Sequence, residues 1–181
     1  MHGTEAPSPW VQRWAHLIAP GSQVLDLACG AGRHMRLLSG LGHPVLGVDR
    51  SEEALRAASA WGTPVQADIE NGPWPLAGRQ FGAVVVTNYL WRPLWPQILA
   101  SVQAGGVLIY ETFAQGHETV GRPARADFLL APGELLQVAQ QAGLRVVAYE
   151  DGFLAPPERF VQRLVAVREV ADQGPVRWPL G

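Results

Sequence analysis

The stretch Val24-Leu25-Asp26-Leu27-Ala28-Cys29-Gly30-Ala31-Gly32-Arg33-His34 leaves few folds open to this chain. Apolar residues suited to a buried strand pass into a turn with two glycines, and a helical pattern follows. In an open α/β sheet, ligands bind outside the carboxyl ends of the strands, near the switch in strand order. Gly30 and Gly32 let the chain turn tightly and let a ligand approach a backbone that carries no Cβ. A strand of this kind needs parallel neighbours, and the rest of the chain supplies them.

Apolar, β-branched runs alternate with helical patterns along the whole length, which predicts an α/β fold with a mostly parallel sheet. Residues 10–19 predict an amphipathic helix with Trp10, Trp14 and Leu17 on one face, stopped by Pro20-Gly21, within an N-terminal helical segment 1–20. Strands are expected at 23–28, 45–48, 65–67, 81–87, 106–111, 144–150 and 160–168. Helices are expected at about 33–39, after Ser51 (a capping residue followed by Glu52 and Glu53), from Pro93 to about Gln103, and between Pro132 and Gly143. Residues 71–79, with two prolines and two glycines, are irregular, and 112–130 read as a long loop. The last two strands have no helix between them, so one should run antiparallel. The tail from Val170 should fray. Length and composition (181 residues, 48% hydrophobic, 17% charged) fit one globular domain over 1–181.

Acids stand where such a fold would use them. Asp26, inside the first strand and close to the turn, can meet the ammonium of an amino-acid ligand and would repel a pyrophosphate. A Gly-x-Gly turn alone also serves nicotinamide and flavin cofactors, but the third glycine of the dinucleotide fingerprint falls here on Met35. Asp49 ends the second strand, the position from which an acid accepts both ribose hydroxyls of an adenosine. Asp68 ends the third and can accept from an adenine amino group, with Ile69 packed on the ring. Asn88 and Tyr89 follow the fourth strand beside the expected reacting centre.

Taken together, the Asp26 to Gly32 turn, the acid at Asp49 and a further acid at Asp68 resemble the class I S-adenosylmethionine-dependent methyltransferases. Gln103-Ala104-Gly105-Gly106-Val107-Leu108-Ile109 looks like the fifth-strand entry of that superfamily. The resemblance implies a Rossmann-like seven-stranded sheet of order 3-2-1-4-5-7-6 with an antiparallel last strand and helices on both faces. It implies S-adenosylmethionine as cofactor, held around Asp26, Gly30, Gly32, Asp49, Asp68 and Asn88. Their neighbours Ala28, Cys29, Ala31, His34, Arg50, Ile69 and Tyr89 are further cofactor candidates. Tyr110-Glu111-Thr112-Phe113, Gly121-Arg122-Pro123 and Phe128-Leu129-Leu130 resemble compact bacterial members near the tellurite-resistance methyltransferase group. The Asn/Asp-Pro-Pro-Tyr motif of amino-group nucleic-acid methyltransferases is absent; Thr87-Asn88-Tyr89-Leu90 stands in its place.

On the acceptor side, Tyr89, Arg92, Glu111, His117 and Arg122 are candidates for substrate contact. The segment 112–130 is expected to act as a lid in which His117 and Arg122 hold a small acceptor, an anionic one included. Each has a plainer alternative: helix-start packing for Tyr89 and Arg92, and an ion pair with Glu118 for Arg122. Cys29 reads as a small turn filler and His34 as a surface or cofactor-edge residue. No catalytic side chain is singled out, because methyl transfer from a sulfonium asks mainly for alignment and exclusion of water. All basic residues are arginine and scattered, and formal charge is −2, which argues against nucleic acid as a partner. A lone cysteine excludes an internal disulfide and a cysteine zinc cluster, and no metal is expected. Residues 1–9 lack the layout of a secretion signal, and no apolar run is long enough for a bilayer. The expectation is a cytoplasmic monomer or homodimer acting on a small molecule. Methylation of a protein or RNA, and non-catalytic binding of the cofactor, are the alternatives.

Overall fold

The computed structural model describes residues 5–181; the start of the expected N-terminal segment, residues 1–4, lies outside them. Seven strands form one sheet: Val24–Leu27 (β1), Val45–Asp49 (β2), Thr63–Gln66 (β3), Phe81–Thr87 (β4), Val102–Phe113 (β5), Arg145–Leu154 (β6) and Arg159–Val167 (β7). Their order is β3-β2-β1-β4-β5-β7-β6, the order expected from sequence. β1 pairs in parallel with β2 and β4, whereas β7 runs antiparallel to both β5 and β6.

The helices are Pro9–Trp14 (α1), Arg33–Gly40 (α2), Glu52–Ala58 (α3), Trp95–Ala100 (α4) and Glu134–Gln141 (α5). The sheet divides the core in two. Leu25 and Leu27 of β1 face Ile98 of α4 and Leu135 of α5, while Val24 faces Trp10, Trp14, Leu38 and Leu55 on the other side. Alternation along the strand therefore puts Asp26 on the Val24 side, under α2. Pro9 opens α1 behind Ser8, whose Oγ accepts from the Trp10 N–H. Ser51 caps α3 in the same way through Ala54, with Glu52 and Glu53 in the first turn.

Several boundaries differ from the sequence expectation, among them β3, which starts at Thr63 and not 65, and β5, which spans Val102–Phe113 and not 106–111. The helix expected over 10–19 is α only to Trp14; a 3₁₀ turn, Ala15–Leu17, follows, and Ile18 is already extended because Pro20 disfavours helix ahead of it. The helix from Pro93 ends at Ala100, not Gln103, since Val102 is drawn into the sheet opposite Phe81. β6 runs on to Leu154 through Asp151-Gly152, a pair that reads as a turn, because antiparallel pairing with β7 overrides local preference there. Among the described residues no helix is long and apolar enough to cross a membrane.

Candidate functional site

Crossovers leave β1 toward β2 on one side and return to β4 on the other, so a crevice opens at the carboxyl ends of β1 and β4. Two joined cavities fill it. One, of about 220 Å³, lies among Asp49, Arg50, Ala67, Asp68, Ile69 and Tyr89. The other, of about 640 Å³, lies among Cys29, Gly30, Ala31, His34, Ser51 and Asn88. Ala28 and Asp49 belong to both.

Asp49 ties the floor together. Its Oδ2 accepts from the Gly30 N–H at 2.9 Å, and its Oδ1 accepts from the Ser51 N–H at 2.9 Å. A carboxylate offers about four acceptor sites, so each oxygen keeps capacity for a ligand hydroxyl while the backbone bonds fix its orientation. The two glycines serve different ends. A Cβ on Gly30, at φ +54°, would meet nothing within 4 Å; its side faces the open crevice. A Cβ on Gly32, at φ +83°, would lie 3.0 Å from Ala58, so this glycine lets α2 pack on α3. Ala28 and Asn88 both hold φ of 53° without being glycine. Such strain costs on the order of 1 kcal/mol per residue and gathers at ligand sites. An elongated cavity, a tethered acid at one bend and a Cβ-free approach at Gly30 fit an adenosine carrying an amino-acid arm.

Asp26 does not line the crevice. It lies beneath the turn, bonded to the Met35 N–H, and its Oδ2 has no partner among the described residues. Burial pushes its carboxyl up to about 7 against the opposing pull of Arg33. The unfolded chain loses this proton near pH 4. Between there and pH 7 the folded state holds more protons than the unfolded, so stability falls as pH rises, and the penalty is complete above about 7. Asp26→Asn keeps the Met35 bond without the charge. It is expected to raise the Tm of the ligand-free protein by several degrees at about pH 8 and to leave it unchanged at about pH 4, checked by thermal unfolding at both. Equal shifts at the two pH values would show that ionisation is not the cause.

His34 is buried rather than on the surface. Its Nε2 accepts from the Ser8 N–H at 3.0 Å, and its Nδ1 lies 3.4 Å from Thr87 Oγ1. Burial lowers its pKa to about 3, so it stays neutral. Burial likewise pushes the Cys29 thiol up, which suits a turn filler and not a nucleophile. Asp68 lines the smaller cavity but is engaged locally, accepting from the Glu70 and Asn71 N–H groups and from Asn71 Nδ2, and these bonds lower its pKa.

Of the acceptor-side residues only Tyr89 borders the crevice. Arg92 forms a bidentate pair with Glu134 at 2.6 and 2.9 Å and donates to the Asp127 and Leu129 carbonyls, clamping the 126–129 turn to α5. Glu111 is buried, accepting from Ser8 Oγ at 2.9 Å with Arg163 at 3.6 Å. His117 is buried and stacked on Phe113, its Nε2 bonded to the Arg122 carbonyl at 3.0 Å. The Arg122 side chain is exposed, and Glu118 bonds to the Gly116 N–H and not to Arg122. The segment expected to act as a lid, 112–130, is joined at its ends by Leu130 N–H to Phe113 O and Gln115 N–H to Leu130 O. Among the lining residues that escape the sequence reading are Glu5, which lines the larger cavity and pairs with Arg33 at 3.5 Å, and Glu70, which lines the smaller. Glu70 was open to discovery, being in the same run as Asp68 and Ile69; Glu5 carried no motif.

Fold and crevice together define a Rossmann-like α/β domain with a candidate ligand site at the carboxyl ends of its strands. A methyltransferase-domain family profile matches residues 24–104, from β1 to the start of β5. The chain is 28% identical over 164 residues to a ubiquinone biosynthesis O-methyltransferase of Burkholderia pseudomallei, covering 76% of this chain and 70% of that protein. Among solved structures it resembles TehB from Haemophilus influenzae (TM-score 0.73, 22% identity, 93% of this chain); the chain spans 64% of that protein's length. It also resembles the glycopeptide N-methyltransferase MtfA, solved with S-adenosylhomocysteine (TM-score 0.65, 17% identity, 91% of each chain). The chain is thus similar to methyltransferases over residues 24–104 and in its fold.

Proposed function

We propose that this chain binds S-adenosylmethionine in the crevice and transfers its methyl group to a small-molecule acceptor. The observation that carries the reading is the Asp49 carboxylate, held by Gly30 and Ser51 backbone donors where the two cavities join. In this reading Asp49 receives the ribose hydroxyls, Ile69 and Tyr89 flank the base, and the Gly30 side of the crevice takes the amino-acid arm. When bound, the cofactor supplies an electrophilic methyl on a sulfonium. The chain's residues bind, orient and exclude water, and the segment 112–130 serves the last of these. The relative named for ubiquinone biosynthesis supports a small acceptor. The lone free cysteine suits a cytoplasmic setting.

Isothermal titration is expected to show binding of S-adenosylhomocysteine and no response to NADH. NADH binding without a response to S-adenosylhomocysteine would overturn the cofactor assignment. Incubation of methyl-labelled cofactor with filtered and retained fractions of a bacterial extract is expected to label the low-molecular-weight fraction. Label confined to protein or RNA would overturn the acceptor class.

A further inference from the structure

A third cavity of about 230 Å³ opens off the crevice. It meets the larger lobe at Asn88 and the smaller one at Glu70 and Tyr89. Its other walls are Leu90 and Thr112 at the ends of β4 and β5, Phe113, and Pro123 and Phe128 from the segment 112–130. The volume is below the roughly 300–1,000 Å³ of drug-sized sites. Its surface is mostly apolar and aromatic. The one acidic or basic side chain in its lining is Glu70.

No arginine lines this cavity. Arg92 is held by Glu134 and two carbonyls, and Arg125, over the Phe128 ring at 5.3 Å, pairs with Asp127 at 2.7 Å. The Arg122 side chain lies in solvent, outside the cavity lining. An anion entering this cavity would lose its water and face Glu70 with no arginine in the lining. The expectation of an anionic acceptor held by His117 and Arg122 therefore has no basis in this geometry. A second observation points to a ligand of another kind. The Tyr89 hydroxyl, on the residue shared by this cavity and the smaller lobe, lies beside the Glu70 carboxylate, and the two form a polar pair on a mostly apolar lining. Burial, with Glu70 beside it, raises its pKa and keeps it a neutral donor.

We propose that the cavity bounded by Glu70, Tyr89, Phe113 and Phe128 is the acceptor subsite, and that it takes a compact, uncharged aromatic molecule bearing a hydroxyl and rejects anions. The inference rests on the proposed function, since the cavity serves an acceptor only if the adjoining crevice holds the cofactor. Flat rings match walls built from Phe113, Phe128, Tyr89 and Pro123, and a ligand hydroxyl can donate to the Glu70 carboxylate of the Glu70–Tyr89 pair.

The test is binding by ligand-observed NMR to the full chain saturated with S-adenosylhomocysteine, using naphthol and naphthoate as probes. These share one ring system and differ in carrying a hydroxyl or a carboxylate. Naphthol is expected to bind at least about tenfold more tightly than naphthoate. Glu70→Gln is expected to narrow that gap, and Phe128→Ala, folded by circular dichroism, to weaken naphthol by about fivefold to tenfold. Naphthoate binding as tightly as naphthol, or naphthol binding untouched in both variants, overturns the acceptor proposal alone. Failure of the wild-type chain to bind S-adenosylhomocysteine overturns the cofactor reading and the subsite with it.

Discussion

Asp49→Ala is expected to weaken S-adenosylhomocysteine binding by about 1.5–3 kcal/mol, roughly ten- to hundredfold in Kd, while the protein stays folded. The size follows from charge: hydrogen bonds to an ionised acceptor are the stronger ones, and one carboxylate serves both oxygens of a ribose in the proposed pose. The effect is also indirect. Asp49 Oδ2 is the acceptor for the Gly30 N–H, so its removal frees the turn that approaches the ligand most closely. Asp49→Asn keeps one acceptor oxygen and should lose less than alanine does. The core is not at stake, because Asp49 ends β2 at the crevice and the apolar residues of that strand pack elsewhere. Titration calorimetry with circular dichroism as the folding control decides it. A folded alanine variant with unchanged affinity removes Asp49 from the site.

Much of this fold was legible because local and global preferences agree. The run Phe81-Gly82-Ala83-Val84-Val85-Val86-Thr87 is buried along its whole length, and its strand has the bounds that its composition predicts. Pro132 and Gly143 bracket α5 for the same reason. Strand order came from the family resemblance, since no periodicity states which strands are neighbours. The crevice floor was legible where chemistry and chain position coincide, as at Gly30 and Asp49.

The acceptor side was not legible, because partners distant in sequence decide it. Arg92 looks free until Glu134, 42 residues on, is placed beside it. Glu111 looks like a crevice acid until Ser8, 103 residues earlier, is found bonded to it. Asp26 looks like a ligand contact because its strand ends at the turn, yet the pleat directs it under α2. A single sequence shows which residues can make polar bonds and not which bonds they make.

Trp10→Ala is expected to destabilise the protein by about 3–5 kcal/mol, the range for truncating a buried aromatic, and so to lower Tm by roughly 6–20 °C. Trp10 is 1% exposed, packs edge-on against Trp14 at 5.6 Å, and donates from Nε1 to the Leu164 carbonyl at 3.3 Å. The Arg163 guanidinium lies over its ring at 4.7 Å, and the same arginine pairs with Glu150 and faces Glu111. Truncation therefore removes an aromatic pair and a cation–π contact together, and leaves a void between α1 and the sheet. The consequence reaches the site. Ser8, two residues earlier, bonds to His34 and Glu111, and Glu5 borders the larger cavity opposite Arg33. Loosening α1 releases that wall, so the variant should also bind S-adenosylhomocysteine more weakly at temperatures where it is still folded. Ser8→Ala separates the two effects. It removes the hydroxyl bond to Glu111 and the cap on Trp10, and should cost about 1 kcal/mol of stability, far less than Trp10→Ala. Thermal unfolding with calorimetry on both variants makes the comparison. A Trp10→Ala protein that melts within about two degrees of wild type would show that α1 is not anchored by this residue.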